Sequence, residues 1–218
     1  DCFLGVRRFD EFLGRLGISR PMLSDRLARL VEAGGRVVMI GAPCRASAPT
    51  TPEVTMTKPT FTTESERHVW QTLTDAMPPD WQVVANVRLM TERRDHEVDL
   101  VVLIPDAGIV VAEVKGGSVY YEDGGWWLTS GGQTRSIDPM GQVSDGLYEL
   151  RRYVEEDPRW SGGRVRWTKA LIAPYTDFAD DFAAPESPRW AVHGRRDMDD
   201  LPARLEAAAR KGDLAVPS

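Results

Sequence analysis

HEVDLVVLIPDAGIVVAEVKGG, His96 to Gly117, is two apolar runs joined by a short reversal. The runs, Val98 to Ile104 and Ile109 to Val114, are rich in Val and Ile, and Pro105 and Gly108 bracket the turn between them. That pattern predicts a β-hairpin buried on both faces. Three charges interrupt it: Asp99 in the first run, then Glu113 and Lys115 on either side of Val114. Strand side chains alternate, so Glu113 and Lys115 share a face and Val114 points the other way. Buried charge is costly unless it is paired or holds a metal. A blander reading makes Glu113 and Lys115 an exposed pair worth less than about 1 kcal/mol, with Asp99 capping a turn. The hairpin weighs against it, because it carries all three charges to one end.

Two carboxylates there suit Mg²⁺ or Mn²⁺, hard cations that take oxygen ligands and keep waters in their other positions. A lysine beside them can orient or deprotonate a water and offset charge on a phosphate. The residue types and their spacing point to hydrolysis of a phosphodiester.

Asp99 followed by Glu113-Val114-Lys115 resembles the motif of the PD-(D/E)xK nuclease superfamily, and its surroundings resemble one branch, the nuclease-related domain. That family has a helix with a Ser/Gly-Glu pair, here Ser65-Glu66 in TESERHVWQTL. It then has a hydrophobic-Asp strand (HEVDLVVL), a Glu-Val-Lys-Gly strand (EVKGG) and a Pro-x-x-Gln helix start (DPMGQVSDGLYELRRYV). The four segments follow in order over residues 62–175. The resemblance implies a restriction-endonuclease-like α/β fold, a mixed central sheet flanked by helices, acting on nucleic acid, with DNA the expected form. It implies Asp99 and Glu113 as ligands for Mg²⁺ or Mn²⁺, joined by the Val114 carbonyl, and Lys115 as the residue that positions or activates water. Glu66 would lean towards the metal and Gln142 would hold the phosphate or orient the water. Glu66 has a second reading, as an acid favoured at a helix N-terminus by the dipole. Related domains are often joined to helicase or kinase domains.

With 42% hydrophobic and 28% charged residues, the chain has the composition of a soluble globular protein, not of a disordered or fibrous one. Asp99, Asp106 and Glu113 break the longest apolar candidate, so no membrane span is expected, and the N-terminus lacks a secretory pattern. A cytoplasmic location is the expectation. Cys2 and Cys44 make no disulfide framework, and the scattered His68, His96 and His193 make no zinc site. The net charge of −6 is uneven, for residues 1–36 carry seven Arg against five acidic residues. Acidity does not exclude a nuclease, since bound Mg²⁺ reverses the local field of its carboxylates.

Residues 1–40 read as a partial helix-turn-helix. Phe9, Phe12, Leu13 and Leu16 face one way before Gly17; Ser19 and Pro21 open a second helix with Leu23, Leu27, Leu30 and Val31 as its stripe. The stretch is similar to the HxlR-type winged regulators, which implies Ser19, Arg20, Ser24 and Arg26 as major-groove contacts. No β-wing pattern follows it. A DNA-binding transcriptional regulator is therefore one alternative, and a nuclease-like module that binds nucleic acid without cutting it is another. Residues 41–61, rich in Ala, Pro and Thr, read as a linker, 62–210 as the nuclease-like domain and 211–218 as a tail.

Within the domain, a helix is expected from Thr62 or Thr63 to about Met77, packed through Val69, Trp70, Leu73 and Met77, then a strand from Trp81 to Leu89. Arg88, Arg93 and Arg94 flank a polar loop and are either phosphate contacts or solvated charges. Gly116 and Gly117 would admit a substrate backbone. Ser118 to Ser130 is a second hairpin, whose Tyr120, Tyr121, Trp126 and Trp127 either stack bases or pack across strands. A helix from Met140 to Glu155 with Val143, Leu147, Leu150 and Val154 as its stripe follows. A strand from Val165 to Ala173, another at Trp190 to Val192 and a helix from Asp199 to Arg210 complete the pattern.

Overall fold

A computed structural model describes residues 61–90, 95–156 and 165–214, with 88–90, 95–96 and 213–214 described by their backbone alone. The helix-turn-helix segment with Arg20 and Ser24, the linker up to residue 60, and Arg93 and Arg94 lie outside the described residues. Among the described residues there are three α-helices: α1 (Glu64–Ala76), α2 (Pro139–Glu155) and α3 (Leu201–Lys211). The first strands are β1 (Gln82–Met90), β2 (Asp95–Ile104) and β3 (Gly108–Val114). A separate meander follows, β4 (Ser118–Glu122), β5 (Gly125–Ser130) and β6 (Gln133–Ile137). After α2 come β7 (Arg166–Ile172), the small pair β8 (Ala183–Ala184) and β9 (Ser187–Pro188), then β10 (Val192–His193) and β11 (Asp213–Leu214).

The main sheet runs β1-β2-β3-β7-β10, with β11 also paired to β7. β1, β2 and β3 are antiparallel neighbours, while β7 lies parallel to both β3 and β10. This is a mixed α/β fold of the restriction-endonuclease-like kind. Helices cover both faces of the sheet. On one side Val69 and Leu73 of α1 and Leu201 and Leu205 of α3 meet Leu100, Val102 and Val110. On the other, Val143, Leu147, Leu150 and Val154 of α2 meet Val84, Val101 and Val111, joined by Trp126 and Leu128 of the meander. Every residue of β3 is buried, which is why its sequence is apolar at every position but Glu113 and not alternating. Gly146 lets α2 lie close on the sheet, since a Cβ there would meet Val98 Cγ2 at 2.7 Å.

Four boundaries differ from the sequence reading. β6 was not expected, because Gln-Thr-Arg-Ser-Ile has no apolar face and is exposed almost throughout. Arg189–Ala191 is a 3-10 turn and only Val192–His193 pairs as a strand. Asp213–Leu214 hydrogen-bonds to β7, so these residues belong to the sheet and not to a tail. Phe61 packs on Trp70 with ring centroids 5.4 Å apart, so the linker ends before it. No helix among the described residues is long and apolar enough to cross a membrane.

Candidate active site

The site begins at a break in the ladder. β1 and β2 pair on both sides of Asn86 and Asp99, but those two residues drop out of the register, and Asn86 has φ +54°. Val84 and Val87 consequently join the same core layer although three positions apart, as do Val98 and Val101. Pairing of β2 with β3 stops at Leu100 and Ala112. Beyond it β3 stays with β7, and Lys115 N–H donates to the Ile172 carbonyl at 2.9 Å. The strands splay there, and the Asp99 carboxylate stands in for the lost ladder, accepting the Val114 N–H at 2.7 Å.

Glu113 is 5% exposed, and its carboxylate accepts a bond from the Lys115 ammonium at 2.5 Å. Burial first, and the charge of Glu113 second, push the Asp99 carboxyl up to about 8, against the pull of the Val114 N–H. Burial also raises Glu113; Lys115 opposes this, while Glu66 and Glu97 add to it. Four carboxylates therefore feel one another across a small space with one ammonium among them.

α1 brings Glu66 to this space. Thr63, its N-cap, accepts the Glu66 N–H at 3.2 Å and donates its hydroxyl to Glu66 Oε1 at 2.8 Å. Thr62 N–H donates to Glu66 Oε2 at 3.1 Å. The two readings of Glu66 are thus compatible, since its carboxylate secures the helix start and also stands in the cleft wall. α2 brings Gln142 in its first turn, behind the N-cap Asp138, whose carboxylate accepts the Gly141 N–H at 2.9 Å. Glu66, Asp99, Glu113, Lys115 and Gln142 all line one cleft of about 610 Å³.

The same cleft is lined by residues the sequence reading did not single out: Glu97, Gln133, Arg135 and Tyr175. Arg135 comes from the unforeseen β6. Tyr175 had a usable signal, for Ala-Pro-Tyr-Thr after a strand is turn chemistry with Pro at the second position. Arg88 is described only by its backbone in β1. Gly116 and Gly117 line the cleft and also serve the protein's own packing. A Cβ on Gly116 would meet Ser65 Oγ at 2.6 Å, and one on Gly117, at φ +101°, would meet the Thr129 carbonyl at 2.6 Å. Trp126 is a core residue, edge-on to Tyr121 at 5.5 Å, so cross-strand packing accounts for that pair.

Among the described residues no three His, Cys, Asp or Glu side chains form a ready metal cage. Mg²⁺ needs none, since it binds through one or two carboxylates and retains water. Asp99 and Glu113, raised by burial and opposed by Lys115, are a donor pair that a divalent cation would relieve. The residues present fit such an ion.

A comparison with curated protein sequences finds no match. Among solved structures, the chain is similar to the crystal structure of protein VC1899 from Vibrio cholerae, at 17% identity and a TM-score of 0.32. That match covers 68% of this chain and 33% of the other, so the chain spans about a third of that protein's length. The family model of the nuclease-related domain matches residues 62–173, just over half of the 218 residues and the part that holds α1, the splayed hairpin and α2. The chain therefore belongs to the nuclease-related domain family.

Proposed function

We propose that the cleft hydrolyses phosphodiester bonds of nucleic acid, DNA in the first instance, with the help of a divalent cation. The observation that carries this reading is the Lys115 ammonium held on Glu113 at 2.5 Å beside Asp99. Asp99 and Glu113, with the Val114 carbonyl, would hold Mg²⁺ or Mn²⁺. When bound, such an ion polarises the phosphoryl group and lowers the pKa of water.

The chain's own residues do the rest. Lys115, held on Glu113, orients the attacking water and offsets the negative charge that grows on the phosphate oxygens. The water oxygen bonds to phosphorus as the bond to the leaving oxygen breaks. The water's proton passes to carboxylates in the cleft, and the departing oxygen takes up a proton from solvent. The Gln142 amide orients the phosphate, and Glu66 adds a third carboxylate while fixing α1 against the site.

The test compares the purified chain with its Lys115→Ala variant on end-labelled DNA, with Mg²⁺ and with EDTA. Cleavage should require Mg²⁺ and fall at least about a hundredfold in the variant. Equal cleavage by both proteins would remove Lys115 from the mechanism. Salt-sensitive binding with no products from the unaltered chain would assign it instead as a binding module.

A further inference from the structure

We propose that Tyr175, backed by His68, is a stacking platform for a nucleobase released from its helix, so that the cleft takes single-stranded nucleic acid. This rests on the cleft being a nucleic-acid site. Among the described residues Tyr148 and Tyr175 are the large apolar side chains left exposed, and of the two Tyr175 lines the cleft. The residue is 46% exposed, and its ring lies nearly parallel to His68 of α1, centroids 6.1 Å apart and planes within 10°.

The turn that carries the ring is also tied down. Pro174 precedes it in a turn closed by Thr176 N–H to the Ala173 carbonyl at 3.0 Å. The Thr176 hydroxyl then accepts the Val119 N–H at 2.8 Å and donates to the Gly117 carbonyl at 3.2 Å. That turn begins directly after Ile172, the last residue of β7 and the partner of Lys115, and places Tyr175 three residues beyond it, so the platform is tied through backbone to the candidate catalytic strand. An exposed aromatic fixed in advance loses little entropy when a base covers its free face. The cleft's volume of about 610 Å³ is that of a small-molecule pocket and has room for a splayed nucleotide. Arg135 and Gln142 on its other walls can meet the phosphates.

The experiment uses the full chain carrying Lys115→Ala, so that nothing is cut, with Mg²⁺ and a short oligonucleotide containing 2-aminopurine. Binding should quench the probe. Adding Tyr175→Ala should weaken binding about tenfold and abolish the quenching, while adding Tyr175→Phe should retain both. Unchanged affinity and quenching with Tyr175→Ala, or no preference for a single strand over the matching duplex, overturns the proposal. Binding is read apart from cleavage. Quenching that depends on Tyr175, together with no cleavage by the chain that keeps Lys115, would sustain the platform and sink the hydrolase reading.

Discussion

Asp99 is the residue on which chemistry and stability pull apart. Its carboxyl is raised to about 8 by burial and by Glu113, so the folded chain keeps a proton that the unfolded chain releases near 3.8. Stability from this group is complete below about pH 4 and is lost as pH climbs towards 8. Asp99→Asn keeps an acceptor for the Val114 N–H and removes the charge. Without metal the variant should be more stable at pH 8 by about 2 kcal/mol, yet cut nothing. Urea titrations in EDTA at pH 5 and pH 8 check this, with the gain expected mainly at the higher pH. A bound cation must displace the same proton. Apparent Mg²⁺ affinity should therefore rise from pH 6 to pH 8, with proton release seen by calorimetry in two buffers of different ionisation enthalpy. Proton-free, pH-independent binding would mean that the ion sits elsewhere.

At the scale of elements, the meander β4–β6 is held to the rest by its first residues. Gly117 carries φ +101° and its missing Cβ leaves room for the Thr129 carbonyl, whereas Gly124, at φ +78°, has nothing within 4 Å of that position. Alanine at either glycine meets the same left-handed backbone penalty of about 1 kcal/mol, but only Gly117→Ala also forces a steric clash, costing about 1–3 kcal/mol more. The difference between the two variants in thermal unfolding isolates the close approach. Gly117→Ala should also weaken substrate binding, because Leu128, Ser130, Gln133 and Arg135 of the meander line the cleft; equal melting temperatures would show that the meander's seat yields without cost.

For the whole molecule the acid cluster is set against a second buried group on the edge strand β10, where His193 pairs with Ile172, itself the partner of Val114. His193 is 1% exposed, and among the described residues neither ring nitrogen has a hydrogen-bond partner. Burial, with Asp197 opposing, pushes it down to about 4. Nearby, the carboxylate of Asp197, 2% exposed at its side chain, holds Arg189 at 2.8 Å and Arg204 at 3.1 Å. Between about pH 4 and pH 6.5 the unfolded chain binds a proton at His193 that the folded chain refuses, so stability there rises with pH. Asp99 has the opposite slope across that window. The two should nearly cancel below pH 6.5 and leave a decline towards pH 8 in metal-free buffer. His193→Met should make the decline begin near pH 4, and a pH series of denaturation midpoints that shows no change in that variant would mean His193 titrates normally.

Much of this was legible in the chain. The Val- and Ile-rich runs about Pro105 to Gly108, the stripe Val143-Leu147-Leu150-Val154 and the ordered motif segments determined the elements, the family and the pairing of Glu113 with Lys115, because burial periodicity and local turn chemistry are written residue by residue. Tertiary structure alone decided the rest. The splay at Asn86 and Asp99, the all-polar β6 with Arg135, and Tyr175 seated against His68 depend on contacts between segments distant in sequence. No local pattern records which turn lies over which strand, nor how far burial and a neighbouring carboxylate raise a single acid.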